Sequence, residues 1–326
     1  MSPWRILAAA TAAELCLASG VAAALGLGGA VNGWLDLINC AAPVLMLTGA
    51  LGALAVRATW TRGRFRAVCI AAGAAAAVYG AVVSLPEAAG GVVQSLSGAK
   101  TGAAYRVLEA NVYRANVVPY RTARALLDRR ADAVIILESN GTWGRARSML
   151  AAAYPYSAVC PETGVEIWLK TPVVAQGCRA ATPSGSYATW GEDFVWARTL
   201  GPDGRPLVLA AVHLGRPYPP GRQGVERPAL AGAMAGFAGQ RVLLAGDMNA
   251  APWTFAMRAL DRGLRPLRRW TFWQPTYPAL VKRRPTPPLL PIDHVYAGPG
   301  WARTRIARFR TPGSDHFVLQ IDGRLQ

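Results

Sequence analysis

Nine polar residues stand at the ends of short apolar runs in this chain. Tyr105–Ala110 runs into Asn111, Ala133–Leu137 into Glu138, Leu207–Val212 into His213, and Val242–Ala245 into Gly246-Asp247-Met248-Asn249. Val295–Ala297 follows Asp293-His294, and Phe317–Ile321 follows Asp315-His316. The chain has three histidines, and all three stand at such an edge. Asn111, Glu138, Asp247, Asn249 and Asp315 offer hard oxygen donors with no cysteine nearby, which suits Mg²⁺ or Mn²⁺ better than zinc. A histidine oriented by an aspartate is a base for activating water. A second histidine protonates or stabilises a leaving oxygen. Metal ligands, base and oxyanion donor together describe hydrolysis of a phosphate ester. Asp247 and Asn249 are two apart on an extended chain and point the same way, so they can address one phosphate. His213 and His316 are the catalytic candidates, and His294 has an equal claim to packing beneath the site.

The elements that position these residues follow from their order. Four strands end in the polar set and two begin just after it. If all the polar groups meet at one edge, the last two strands run opposite to the first four. That predicts mixed sheets and a site at the strand ends, where α/β proteins place ligands. Pro119 opens a helix to about Arg130. Val165–Leu169 and Val173–Ala175 read as a strand pair joined through Lys170-Thr171-Pro172. "GPDGR" is a hairpin turn between Phe194–Leu200 and Leu207–Val212. Gly215–Pro228 is Pro-rich and reads as a loop rather than a helix. Arg268–Pro288 interleaves Trp270, Phe272 and Trp273 with Arg268, Arg269, Lys282, Arg283 and Arg284. Such a segment can stack bases and hold a phosphate backbone, sit at an anionic membrane surface, or be a long loop with a buried aromatic anchor. Trp253, after Pro252, is expected to pack beneath the turn that carries Asp247.

The formal net charge is +17, and residues 96–326 hold 30 of the 35 basic and 15 of the 18 acidic side chains. That balance favours an anionic partner, nucleic acid or a lipid phosphate, over a neutral one; a plain solubility charge is the competing explanation. Residues 1–95 differ. Three apolar stretches, about 6–31, 34–56 and 67–85, each approach the roughly 20 residues needed to cross a bilayer. A cleaved signal peptide explains only the first. The expected division is therefore a three-span membrane domain at 1–95, a linker at 96–103 and a soluble domain at 104–326. Arg5 precedes the first span, and Arg57, Arg62, Arg64 and Arg66 separate the second from the third. Positive-inside logic puts those segments in the cytoplasm and the C-terminal domain outside it. No segment points to a protein partner. Cys160 and Cys178 lie in the soluble part; a disulfide and two free thiols are both open.

The ordered set "EANVYRAN", "DAVIILESN", "AAVHL", "LLAGDMNAAPW", "PIDHVY" and "GSDHFVL" resembles the endonuclease/exonuclease/phosphatase (DNase I-like) superfamily over about residues 104–324. "TGVEIWLKTPV" is similar to its Gly-containing strand. The resemblance implies a four-layer α/β sandwich of two mixed sheets with helices outside, here preceded by the three spans. It implies a metal-binding acid at Glu138 with Asn111 and Asp315 nearby, Asp247 and Asn249 on metal, water or scissile phosphate, and an Asp–His pair of Asp293 and His316. His316 is the preferred water activator and Asp247 its rival. His213 matches the histidine of DNase-like and phosphatase members, where AP endonucleases carry tyrosine. Leu137 replaces the usual Gln, and Lys170-Thr171 the usual Ser-Arg, so Lys170 becomes a candidate substrate contact together with Asn111, Asn249 and Trp253. Three spans before such a domain resemble the membrane-bound YafD-like and VanJ-like bacterial subgroup. That implies an enzyme of the bacterial inner membrane with its catalytic domain periplasmic or extracellular. A Mg²⁺-dependent, nuclease-like phosphodiesterase is expected. A lipid-phosphate or sphingomyelinase-like enzyme is the alternative, and a non-catalytic scaffold a third.

Overall fold

The computed structural model describes residues 3–60, 62–96, 98–160, 163–179 and 193–326. Its contacts form two compact units, Met1–Gly90 with Ala251–Ala259, and Gly91–Ala250 with Leu260–Gln326.

The first unit contains helices α1 (Pro3–Leu27), α2 (Gly33–Asn39), α3 (Ala42–Thr59) and most of α4 (Arg64–Leu96). Three helical stretches are long and apolar enough to cross a membrane, Pro3–Ala30, Ala42–Thr59 and Arg64–Val93. The expected second span at 34–56 is broken. The Asn32 side chain accepts from the backbone N–H of Trp34 and caps α2, while a proline in the first turn starts α3 afresh. The third continues through Pro86, beyond the expected stop. Small residues let these helices approach closely: a Cβ on Gly49 would lie 2.5 Å from the Gly73 carbonyl oxygen. Asp36, on α2, is buried. Its carboxylate accepts from Asn39 Nδ2 at 2.9 Å and from the backbone N–H groups of Phe255 and Ala256 at 2.9 and 2.8 Å. Part of the expected 96–103 linker, Ser97, lies outside the described residues; Ala99 N–H donates to the Arg303 carbonyl at 2.9 Å.

In the second unit the chain runs β1 (Ala103–Asn111), α5 (Pro119–Leu127), β2 (Ala133–Leu137), α6 (Arg147–Ala153), β3 (Tyr156–Val159), β4 (Glu166–Leu169), β5 (Ala175–Arg179), β6 (Asp193–Leu200), β7 (Pro206–His213), α7 (Gly221–Ala235) and β8 (Val242–Asp247). Helix α8 (Phe255–Gly263) begins in the first unit. Short strands β9 (Arg268–Arg269), β10 (Leu280–Val281) and β11 (Arg284–Pro285) precede β12 (Asp293–Ala297), β13 (Trp301–Arg310) and β14 (Phe317–Leu325). Two six-stranded sheets result, ordered β13-β14-β1-β2-β4-β3 and β5-β6-β7-β8-β12-β9. Each is mixed: β1 and β2, and β7 and β8, are parallel, whereas β14 and β12 run antiparallel beside them. The four-layer α/β architecture with mixed sheets is thus present.

Period-two alternation assigns the faces. Val107, Ile135, Leu137, Leu209, Ala211, Leu243, Ala245, Val295 and Leu319 form the core between the sheets. Leu108, Ala110, Val134 and Ile136 face outward and pack with Leu126 of α5 and Leu150 of α6.

Two expectations are corrected. β4 and β5 do not pair: β4 lies in the first sheet and β5 in the second, so the chain crosses between sheets after Leu169. Within Gly215–Pro228, α7 begins at Gly221 and carries Pro228 inside it; the proline removes one backbone donor, and buried bonds from Gln223 and Glu226 anchor the turn before it. Of the readings offered for the 268–288 segment, a buried aromatic anchor fits Trp270, which lies in the inter-sheet core against Trp301, ring centroids 6.4 Å apart, with no face open for a base to stack on.

Candidate active site

The parallel ladder of β7 and β8 ends with His213 opposite Asp247, and Asp247 also opposes Asp293 across β8–β12. Counting by two from the core residues, all three side chains lie on the inner face. In the first sheet Asn111 ends β1 on its inner face. Glu138 follows Leu137, and alternation would send it outward. It instead adopts φ +56°, a left-handed conformation uncommon outside glycine, and its carboxylate meets Asn111. Asn249, at φ +49°, turns the chain after Asp247.

The convergence is tight. Asn111 Nδ2 donates to Glu138 Oε1 and Asp247 Oδ2, each at 3.3 Å. Glu138 Oε2 accepts from the Arg114 backbone N–H at 2.9 Å. His213 Nε2 lies 3.7 Å from Asp247 Oδ2 and 4.0 Å from Glu138 Oε1. His316 Nδ1 is 2.9 Å from Asp293 Oδ2, and its Nε2 is 3.7 Å from Asp247 Oδ2. The Thr276 hydroxyl also donates to Asp293 Oδ2. Ser314 donates its hydroxyl to the Asn111 carbonyl at 2.6 Å and accepts from the His316 N–H at 3.0 Å, joining the end of β1 to the approach to β14. The Tyr277 ring lies 5.0 Å from that of His316. Asn249 donates its amide to the Leu214 carbonyl, and its N–H bonds Asp247 Oδ1, both at 2.8 Å.

Burial and charge set the protonation states. Burial raises Asp247, repulsion from Asp293 adds to it, and the histidines oppose it, leaving the carboxyl at about 6. Burial works against the imidazolium of His316, but Asp293 and Asp247 outweigh it and push His316 up to about 10. Burial likewise opposes ionisation of Asp293, yet the charge and hydrogen bond of His316 bring it below its ordinary value. Asp315 is raised by burial, with His316 acting in the other direction.

The donor set fits a hard divalent cation. Asp247, Asp293 and His316 each offer an atom within 4.8 Å of the others. That trio differs from the expected Asn111, Glu138, Asp247 and Asp315, sharing only Asp247. Because Asp293 Oδ2 and His316 Nδ1 already bond each other, the carboxylates of Asp247 and Glu138 are the better donors. Asp315 Oδ1 is buried with no hydrogen-bond partner among the described residues, a cost that a bound cation would relieve. Such a set of carboxylate and amide oxygens suits a hard divalent cation.

Two expected substrate contacts are withdrawn. Lys170 follows Leu169, which pairs with Ala133 at the start of β2; Glu138 follows the end of that strand, so Lys170 lies at the far edge of the sheet. Its Nζ donates to the Arg130 carbonyl at 3.3 Å. Trp253 is 2% exposed, with no face left for substrate. His294 falls on the outer face of β12, with Nδ1 3.0 Å from the Thr271 hydroxyl and Nε2 3.0 Å from the Ala250 carbonyl. Burial, then Arg269, lowers it to about 4, so it is a neutral structural histidine. In the 268–288 segment, Val281, Lys282, Arg283 and Arg284 around the β10–β11 turn are exposed.

Glu109 joins this site although no strand end marks it in the sequence. It shares the inner face of β1 with Asn111, is fully buried, and neither carboxylate oxygen has a hydrogen-bond partner among the described residues. Burial raises its carboxyl well above the ordinary range, and Asp293 and Asp247 add to the rise. The signal was present: an acid two residues before Asn111 in an apolar strand must share its face. Cys160 and Cys178 form a disulfide.

Comparison with known proteins agrees with this architecture. The sequence profile described as the Endonuclease/Exonuclease/phosphatase family matches residues 108–316. The structure is similar to an endonuclease/exonuclease/phosphatase from Beutenbergia cavernae DSM 12333, at 17% identity and TM-score 0.55, covering 68% of this chain and 72% of that one. It is similar to the human Nocturnin catalytic domain with bound sulfate anion, at 14% identity and TM-score 0.53, covering 70% and 97%. It is also similar to sphingomyelinase C from Streptomyces griseocarneus, at 15% identity and TM-score 0.50, covering 67% and 99%. No curated protein matches the chain.

Proposed function

The chain belongs to the Endonuclease/Exonuclease/phosphatase family, and on that premise we propose that it is a membrane-anchored, divalent-metal-dependent phosphodiesterase whose catalytic domain lies outside the cytoplasm. The observation that carries this reading is the meeting of Asn111, Glu138, His213, Asp247, Asp293 and His316 at one end of the two sheets. A scaffold protein has no need to hold an asparagine amide and two histidines around a single carboxylate oxygen, Asp247 Oδ2.

Glu138, with Asn111, Asp315 and Asp247, would hold a cation, Mg²⁺ or Mn²⁺, which would supply Lewis-acid polarisation of the phosphate. The remaining work falls to the chain's own groups. Asp293 fixes the imidazole of His316 through Nδ1 and leaves Nε2 facing Asp247. Of the two candidates for activating water, Asp247 is better poised, since its carboxyl titrates at about 6. His316, charged at about 10, serves as the cation that stabilises charge developing on the phosphate oxygens. His213 stands on the other side of the same aspartate and is placed to serve the leaving oxygen. Asn111, whose amide reaches Glu138 and Asp247, and Asn249, whose amide is held against the Leu214 carbonyl, are the phosphate contacts this reading assigns.

A nuclease-like substrate is supported by the basic balance of residues 96–326. A phosphate ester carried by lipid is the second reading, supported by the three apolar helices and by the similarity to a sphingomyelinase. Orientation rests on the arginines flanking the spans and agrees with the Cys160–Cys178 disulfide, a bond of oxidising compartments. The deciding experiment assays detergent-purified protein with Mg²⁺ on plasmid DNA, RNA, short-chain phospholipids and polyprenyl phosphates, with His316→Ala as blank. Hydrolysis of one class above that blank is expected, and equal rates for both proteins on every substrate would refute the assignment. A reporter fused after Gln326 tests orientation: activity confined to the cytoplasm would overturn it.

A further inference from the structure

The segment after His213 holds an arrangement that the chemistry above does not use. Gln223 is 2% exposed and Glu226 is fully buried, three residues apart on α7 and therefore on one helical face. Gln223 Nε2 lies 2.6 Å from the Gly215 carbonyl, 3.1 Å from that of Met248 and 3.4 Å from that of Asn249. Its Oε1 accepts from Arg227 at 3.0 Å, which orients the amide with nitrogen toward the three carbonyls. Glu226 Oε2 accepts the Gly215 N–H at 2.7 Å, and Oε1 bonds Arg222 Nε at 2.5 Å. One turn of helix thus grips both the N–H and the C=O of a single peptide. A Cβ on Gly215 would collide with Arg222 Nε, so a side chain there would push Arg222 off Glu226.

Gly215 lies two residues beyond His213, and Met248 and Asn249 directly follow Asp247. We propose that Gln223, supported by Glu226, is a positioning residue for the reaction: it locks the loop leaving His213 to the turn carrying Asp247 and Asn249. The Asn249–Leu214 and Leu214–Asp247 bonds, at 2.8 and 2.9 Å, complete the same seam. Neither residue touches the reacting groups. Both act through the backbone that holds three of them. A buried carboxylate and carboxamide are costly unless fully bonded, and here the bonds go to the two segments whose spacing the chemistry needs. Generic packing of α7 could be met by apolar residues.

The inference rests on the phosphodiesterase reading. Its test uses the full chain in detergent with Mg²⁺ and bis(p-nitrophenyl) phosphate as probe, with wild type and His316→Ala measured first. If wild type does not exceed His316→Ala, the functional reading fails and the positioning role falls with it. If wild type is active, Gln223→Leu is expected to lower kcat by roughly tenfold or more, with KM within about twofold and Tm little changed. Glu226→Gln, which keeps an acceptor for Gly215, is expected to retain more of kcat than Glu226→Leu. Hydrogen exchange at the Met248 and Asn249 amides is expected to quicken in Gln223→Leu. A Gln223→Leu enzyme with wild-type kcat, or one whose rate loss merely follows the fraction unfolded, overturns the proposal.

Discussion

Asp247 and Asp293 stand opposite each other on adjacent antiparallel strands, and the imidazole of His316 bridges them, Nδ1 to one and Nε2 to the other. Two buried carboxylates in register would repel strongly alone. The histidine between them keeps Asp293 ionised and leaves Asp247 as the group that can exchange a proton near neutral pH. This three-residue relation orders the expected behaviour of the site.

Asp293→Asn removes the charge that contributes most to holding His316 protonated. The His316 pKa is expected to fall from about 10 toward its ordinary value, and kcat to drop by about 10²–10⁴-fold. Imidazole titration by NMR reads the first effect and steady-state rates the second. An unmoved titration would break the proposed electrostatic link.

Glu138→Gln keeps shape and removes charge. Mn²⁺ binding measured by calorimetry is expected to weaken by more than about tenfold, whatever the substrate. If affinity is unchanged, the cation does not sit at Glu138.

Glu109 imposes a pH dependence on stability. Its folded-state pKa lies well above the unfolded one, so its stabilising contribution is present below the ordinary carboxylate range and is lost as pH rises above it. Glu109→Gln mimics the protonated acid. Its Tm, measured without metal from pH 5 to 8, is expected to fall less steeply than that of wild type. Parallel curves would mean that Glu109 stays ionised.

Asp36→Ala is expected to destabilise the first unit by about 1 kcal/mol through loss of the acceptor for the first two N–H groups of α8, whereas Asp36→Asn keeps an acceptor for Phe255 or Ala256. Thermal unfolding in detergent should rank wild type above Asn and Asn above Ala. Equal Tm values for Ala and Asn would show that the acceptor contributes nothing.

Thiol counting checks the disulfide. Denatured protein without reductant is expected to expose three reactive cysteines, Cys16, Cys40 and Cys69, and two more after reduction. Five without reductant would remove this support for an oxidising compartment.

Much of the site was legible because strand chemistry is local. An apolar run with period two that stops at a polar residue tells where a strand ends, and the Asp-His dipeptides before β12 and β14 told that two strands run the other way. Those patterns need no knowledge of contacts, and the mixed sheets and the set Asn111, Glu138, His213, Asp247, Asn249, Asp293, Asp315 and His316 came from them. Apolar length likewise marked three helices long and apolar enough to cross a membrane, since a bilayer asks only for enough hydrophobic residues in a row.

The tertiary structure decided what depends on non-local partners. The expected β4–β5 pair lies in two different sheets, because sheet membership depends on strands distant in the chain. His294 stands at a strand edge in sequence like the other two histidines, and only the pairing of β12 with β8 turned it outward. Glu138 points inward because of a left-handed backbone step that side-chain alternation does not encode. Gly215–Pro228 looked like a loop because its prolines outweighed its helix formers; Gln223 and Glu226 reversed that by bonding to peptides that the chain brings near only when β7 and β8 lie side by side. Residue types and their order determined which chemistry this protein carries, while the meeting of two sheets determined which groups share a proton, since that depends on distances between residues far apart in sequence.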